Sequence, residues 1–461
     1  MRGRRWSGPC SSQSARLHPL NRGGRFWLAF VRGVGVGPAP LGDLVTAHTT
    51  GLWGHRDFLK LWTAQTVSSF GARIAREGLP IAAVVALNGG PAALGLVAAL
   101  RLGPQVLVGL VGGPIVDRLP RRPVLIGADV ARALVLATFP IAALLHRLTL
   151  AQVYVAAVLM GGLNVVFDMA DHAYLPDLID KSQLVEGNAK LGATDAAAEA
   201  GGPALWGILF SILSAPVAVG ASAVTYIVSA LCLSTITARP RPREIGDPEP
   251  PALFNVVAGV RACLGHPLVR PIFAAAVLRN FFGAFYAALY VIYALHVLGL
   301  SILMLGLAVG CGGLGGLAGA VLAPAVTRRL GIGRTIVVTG LVAGAISFLT
   351  PLARGAPIVA LLFLMTSQLF GDGIETVTEI SASSLRQSVL PGEVLGRAAG
   401  AFMASQGLAG VLGAIVGGLL GRGVGVRETL YFAAAGIAVA PLIGLFSPLW
   451  RVRTIGDDDR A

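Results

Sequence analysis

Charge is scarce in this chain. Asp, Glu, Lys and Arg make up 13% of its 461 residues, where a soluble protein carries about 25%. Hydrophobic residues reach 55% and the mean hydropathy is +0.74. These values exclude a soluble globular protein and point to a polytopic membrane protein. Cysteine is sparse as well. Cys10, Cys232, Cys263 and Cys311 stand far apart, with no metal-ligand spacing and no disulfide framework. No Ser-His-Asp set, zinc spacing or nucleotide motif is present, so neither an enzyme nor a metal or other cofactor is expected. The run GLAVGCGGLGGLAGA (306–320) lacks the preceding strand and Lys-Ser/Thr ending of a phosphate loop, and reads as close helix packing. No stretch offers a substantial folded soluble domain, which argues against a receptor or scaffold. No filter-like ring or repeated pore loop argues for a channel.

Glycine, at 61 residues, is abundant, as befits membrane helices that approach closely without a hydrophobic driving force between them. Apolar segments of membrane-crossing length follow one another near 57–87, 91–116, 123–145, 149–171, 187–213 and 216–237. A Pro- and Arg-rich stretch, 239–251, interrupts them, and six more follow near 268–297, 300–326, 335–352, 356–380, 396–420 and 428–449. The expected fold class is therefore an all-α membrane protein of twelve transmembrane helices in two six-helix halves. The expected division is an extension (1–52), a first half (53–238), a linker (239–267), a second half (268–450) and a tail (451–461).

The net charge of +13 does not indicate a nucleic-acid partner, because the basic residues sit in short links between apolar runs. Arg118, Arg121, Arg122, Lys181, Arg239, Arg241, Arg243, Arg261, Arg328, Arg329, Arg334, Arg386, Arg451 and Arg453 fall on one side; Arg147, Arg354, Arg422 and Arg427 fall on the other. Basic links stay inside, so both termini are expected in the cytoplasm and the protein in the plasma (inner) membrane. Residues 1–50 hold seven Arg before the first acid, Asp43. They read as a disordered cytoplasmic extension or the product of too early a start codon, with Val45 as the alternative start.

The link GGPIVDRLPRRPVL (112–125) is a tight charged hairpin between two apolar helices. A carboxylate at the C-terminal end of a helix meets the negative end of the macrodipole, so Asp117 needs a cationic partner or the N-terminus of another helix. That suits a latch between moving parts made of Gly113, Asp117, Arg118, Arg121 and Arg122, with Gly113 allowing close approach and Arg118 and Arg122 binding opposite charge. The alternative is a topology anchor that needs only the basic residues. A shift of 210 residues lays Asp117-Arg118 over Thr327-Arg328 and LPDLIDKSQLVEGNA (175–189) over LRQSVLPGEVLGRAA (385–399). The halves are therefore repeats, with a cavity expected between them.

On these residues the chain resembles a major facilitator superfamily transporter from about 53 to 450. Gly113, Asp117, Arg118, Arg121 and Arg122 fit the superfamily's loop 2–3 signature, with Pro120 where Gly is common. The stretches LWTAQTVSSFGARIAREGLP, FDMADHAYLPDLIDKSQLVEGNA and PGEVLGRAAGA resemble the bacterial enterobactin-exporter and macrolide-efflux branch. The resemblance implies alternating access around a midplane cavity and export of amphiphilic molecules driven by proton influx. It also implies that the loop 2–3 acid bonds to the other half and holds the outward-facing state. Gly202-Pro203 resembles the Gly-Pro motif in helix five of proton-linked exporters, with Trp206 where the family usually has Gly. A Pro-kinked packing helix is the equal alternative.

Ionisable groups inside a membrane are costly and functional by default. Arg73 and Glu77 are four residues apart and can pair on one face of the first helix, with Arg76 beside them. Glu77, Asp168, Asp195, Glu199 and Glu375 are candidates for proton coupling, Glu77 and Glu199 foremost, with Arg73 or Arg101 as the modulating charge. Arg73, Arg101, Arg279, Asn280, Asp372 and Gln406 are candidates for the substrate cavity. His172 shares a helical face with Asp168 and titrates near neutral pH, or simply sits in the membrane interface. Asp129 and Arg132, three apart, suit a structural pair. For each residue the alternative is that it locks helices together.

The expected function is efflux of a small amphiphilic, drug-like compound in exchange for protons, by a monomer in the lipid bilayer. A siderophore exporter or a lipid transporter on the same scaffold remains open. An anionic siderophore would depend on Arg73, Arg101 and Arg279, and cationic drugs on the acids.

Overall fold

The computed structural model describes residues 51–116, 119–237 and 252–453, and no strand occurs among them. The first half comprises α1 (Arg56–Val85), α2 (Pro91–Val116), α3 (Arg121–Leu144), α4 (Leu150–Leu178), α5 (Leu184–Ile212) and α6 (Ala215–Ser234). A short helix, α7 (Ala252–Gly265), lies in the segment read as a linker. The second half comprises α8 (Val269–Ile292), α9 (Ile302–Leu330), α10 (Ile332–Ser347) with the one-turn α11 (Leu349–Leu352), α12 (Pro357–Val389), α13 (Gly392–Gly423), and α14 (Val426–Val439) with the one-turn α15 (Leu442–Leu445). This is the all-α fold of twelve membrane helices.

Local chemistry explains where the helices start and stop. The His55 side chain accepts from the Phe58 amide at 3.0 Å, Thr149 from Gln152 at 3.3 Å and Ser301 from Met304 at 3.2 Å, each satisfying an orphan donor of a first turn. Gly331, at φ 83°, ends α9 and lets α10 begin at once. Several helices outrun their apolar segments: α4 continues to Leu178 and α12 to Val389, well beyond the 171 and 380 read from hydropathy. The predicted spans 335–352 and 428–449 are each broken, at Phe348 and at Ala440-Pro441, and α8 widens into a π turn over Tyr293–Val297.

Among the described residues, ten spans are long and apolar enough to cross a membrane. The two others, α1 and α5, are 30 and 29 residues long but carry more charge, and their charged side chains face one another.

Three separate cores define how the halves meet. Arg56 and Lys60 near the start of α1, Arg121 and Arg122 at the start of α3, Arg334 near the start of α10 and Arg397 near the start of α13 mark one end of the bundle, the arginine-rich end. At the opposite end one continuous core joins both halves, with Leu79, Val97 and Phe210 from the first and Leu289, Tyr293 and Leu305 from the second. Toward the arginine-rich end the halves have separate cores: Phe58, Leu125 and Tyr174 in the first, Phe273, Leu385 and Phe402 in the second. The halves are therefore fused at one end and parted at the other.

The fusion depends on small residues. A Cβ on Gly95 of α2 would lie 2.6 Å from the Ala414 carbonyl oxygen and 2.7 Å from Gly418 Cα of α13. A Cβ on Gly306 of α9 would lie 2.6 Å from the Pro203 carbonyl oxygen and 2.8 Å from Gly207 Cα of α5. Only glycine permits such backbone approach, and dispersion between the backbones then replaces the hydrophobic drive that lipid cannot supply. The glycine run of α9 is close packing on two sides, against α5 and against α12.

Candidate functional site

On the first half, four charges of α1 and α5 form one cluster. Arg73 pairs with Glu199, Arg76 reaches Glu199 at 3.2 Å, and Arg76 Nε lies 3.1 Å from Glu77. The Arg73–Glu77 pair predicted from spacing does not form. Arg73 instead crosses to α5 over Gly202, where a Cβ would come within 2.9 Å of its own Cβ. Glu77 is left to the adjacent Arg76. Pro203 follows at the α5–α9 crossing, and the Trp206 side chain, 1% exposed, fills the core beside it. Asp195 accepts from the Ser69 hydroxyl at 2.8 Å.

On the second half, Arg279 of α8 pairs with Glu375 and, at 3.0 Å, with Glu379 of α12. Asn280 donates to the Gln406 side chain of α13 at 2.8 Å. Asp129 and Arg132 form the expected pair, fully buried in α3. Arg132 also bonds Asn164 at 3.1 Å, and its guanidinium lies 4.1 Å from the Phe167 ring centre and 4.4 Å from that of Tyr226. Enclosed on every side, this pair is a structural brace of the first half.

Between the halves lies a cavity of about 450 Å³, within the range of small-molecule sites. Arg76, Glu77 and Arg101 face it from α1 and α2, and Tyr286, Tyr290, Asp372 and Glu375 from α8 and α12. A second cavity, of about 520 Å³, is lined by Val106, Asp168, Met169, His172 and Met403 where α2, α4 and α13 converge. His172 Nδ1 lies 2.7 Å from the backbone oxygen of Asp168, so the two side chains do not pair. Among the described residues no group of three or more His, Cys, Asp or Glu could hold a metal ion.

The hairpin residues Asp117 and Arg118 lie outside the described residues, and of Gly113 only the backbone, within α2, is placed. Arg121 bonds Asp177 at 2.7 Å and the Ala173 carbonyl. Among the described residues Arg122 does not bind the opposite charge expected of it. It donates to the carbonyls of Leu233, at 2.9 Å, and Ser234, because the orphan carbonyls at the end of α6 attract a cation. All these partners belong to the first half.

Sequence reasoning passed over four members of the polar interior. Gln65 donates to Asp171, one face of α1 to α4. Glu379 shares Arg279, and Tyr290 carries a buried hydroxyl with no partner among the described residues. Asp171 and Glu379 follow Asp168 and Glu375 by three and four residues, a helical spacing that marks the same faces.

Residues 61–414 match a family model described as the Major Facilitator Superfamily. No curated protein matches the chain significantly. A bacterial homologue of the iron transporter ferroportin, in an inward-facing state, superposes with a TM-score of 0.68 at 19% identity, over 87% of this chain and 99% of that one. The outward-facing structure of such a homologue gives 0.55 at 20% identity, over 86% and 99%. The nucleoside transporter NupG gives 0.67 at 14% identity, over 85% and 98%. At these identities the likeness is one of fold.

Proposed function

The chain belongs to the Major Facilitator Superfamily, and from that premise we propose that it exports a small amphiphilic compound in exchange for protons, by alternating access. The observation that carries the reading is the shared core at one end and the divided cores at the other. A charged cavity lies between halves that part only toward the arginine-rich end. With basic links placed in the cytoplasm, that opening faces the cytoplasm, where an exporter loads its substrate. The protein then works as a monomer in the plasma membrane.

Glu199 is the proton-coupling group best placed on this reading, with Glu77 sharing its cluster. Its carboxylate ties α1 to α5 through two guanidinium groups. Adding a proton removes the anion that both arginines need, so proton uptake loosens the α1–α5 contact. Amphiphile binding is supported by the apolar and aromatic walls that surround the charged positions. The anionic-siderophore alternative is weakened, because Arg73 and Arg279 are already held by carboxylates.

Everted vesicles with an acid-inside gradient test the reading, with a pH-sensitive dye reporting the gradient as amphiphilic compounds are added one by one. Dye recovery with a subset of compounds, lost in Glu199→Gln, is the expected result. No recovery with any compound, from well-inserted protein, would contradict proton exchange.

A further inference from the structure

Two charges of the central cavity, Arg101 and Asp372, touch no opposite charge among the described residues. Glu77 and Glu199 are held by Arg76 and Arg73, and Glu375 and Glu379 by Arg279. The Arg101 side chain, on the first half, lines the cavity and makes no hydrogen bond or ion pair with a described residue, Glu77 acting on it only at longer range. On the second half, the Asp372 carboxylate also lines the cavity without a hydrogen bond or ion pair to a described residue; the Thr376 hydroxyl bonds only the Asp372 backbone oxygen. Of the charges that line the cavity, Arg101 and Asp372 are thus the two outside direct ion pairs among the described residues, one on each half.

An unpaired charge in a narrow, largely apolar site is costly, and a ligand of opposite charge relieves that cost. A purely anionic ligand would satisfy Arg101 and leave Asp372 bare. A purely cationic ligand would do the reverse. Resting on the transporter reading above, we propose that the substrate is a zwitterion, its acid group bound by Arg101 and its ammonium group by Asp372. The unpartnered Tyr290 hydroxyl supplies a further polar contact at the same cavity. Because the two charges belong to different halves, a ligand bearing both groups bridges them. It thereby favours the state in which the halves close around it, whereas a singly charged compound engages one half only.

The test uses purified full-length protein and several amphiphilic scaffolds, ciprofloxacin among them. Each is offered as the zwitterion, as its carboxyl ester (cation only) and as its N-acetyl derivative (anion only). Binding is followed by tryptophan fluorescence. The zwitterion of a bound scaffold is expected to bind about tenfold more tightly than either singly charged form, the order of one charge-assisted hydrogen bond. Arg101→Gln should weaken the zwitterion and the anion but leave the ester unchanged. Asp372→Asn should weaken the zwitterion and the ester but leave the N-acetyl form unchanged. A fold defect would weaken all three forms alike, and Arg101→Lys should restore carboxylate binding. Equal binding of the three forms, or charge-independent losses in both variants, would overturn the proposal while leaving an amphiphile transporter intact. Failure of every scaffold in every form would overturn both.

Discussion

Gly95 and Gly418 meet backbone to backbone, so that a Cβ on Gly95 would lie 2.7 Å from Gly418 Cα. This contact holds α2 against α13 where the halves are fused. A Gly95→Leu side chain has no space there and must push the halves apart, shifting the population away from the observed state. The expected result is at least a tenfold loss of transport (order of magnitude) with normal membrane insertion and a monodisperse elution profile. Full transport would show that this crossing is not part of the moving contact.

Glu199 joins two arginines, so its replacement should differ from replacement of either partner. Glu199→Gln removes both pairs and is expected to abolish proton-driven transport, while exchange of substrate without a gradient continues. Arg73→Lys keeps the charge but loses the planar guanidinium fork, and should retain partial transport. Counterflow assays beside gradient-driven assays separate the two effects. Equal losses in both assays would assign Glu199 to substrate binding instead.

Asp129 and Arg132, 0% and 2% exposed, brace α3 inside the first half. Removing one partner strands a buried charge, which costs about 3–5 kcal/mol. Arg132→Met should therefore lower the thermal unfolding temperature strongly. The double variant Asp129→Leu with Arg132→Met should recover much of that loss, because no lone charge remains. A single variant as stable as the parent would show that water reaches the site.

Cys263 on α7 is fully buried, and burial pushes its thiol above the ordinary range. Cys232 and Cys311 are partly exposed, so Cys263 should alkylate more slowly than either at neutral pH, and faster as pH rises, because the thiolate is the reactive form. Gly259 of α7 sits against the Arg397 carbonyl carbon of α13, 2.6 Å from where its Cβ would be. Gly259→Val should lift α7 from its seat and speed maleimide labelling of Cys263, read by mass spectrometry. Unchanged labelling would mean that α7 tolerates the added bulk.

Hydropathy carried the helix count and the division into halves, because each apolar run had to be about 20 residues long to cross lipid. It could not locate the ends of α4 and α12, whose last turns leave the apolar run yet keep their backbone hydrogen bonds. The Asp129–Arg132 pair was legible because both partners lie on one helix at a fixed spacing. The partner of Arg73 was not: Glu199 becomes available only because α5 crosses α1 at Gly202, a tertiary fact. Asp117, read as a latch acid from its place in a motif, falls outside the described residues. That Arg101 and Asp372 line one cavity from opposite halves, outside any direct ion pair, emerged only from the tertiary arrangement.

Alternating access requires that the two ends of the cavity move oppositely, and electron–electron resonance between paired spin labels measures this directly. Gly192 and Gly396, one on each half near the arginine-rich end, offer open space to an added side chain, as do Gly90 and Gly423 at the fused end. Labels are placed on these pairs after Cys10, Cys232, Cys263 and Cys311 are replaced by Ser. On acidification with substrate, the Gly192–Gly396 distance should shorten while the Gly90–Gly423 distance lengthens. Two distances that stay fixed, or that change in the same direction under every condition, would contradict a transporter that opens its ends in turn.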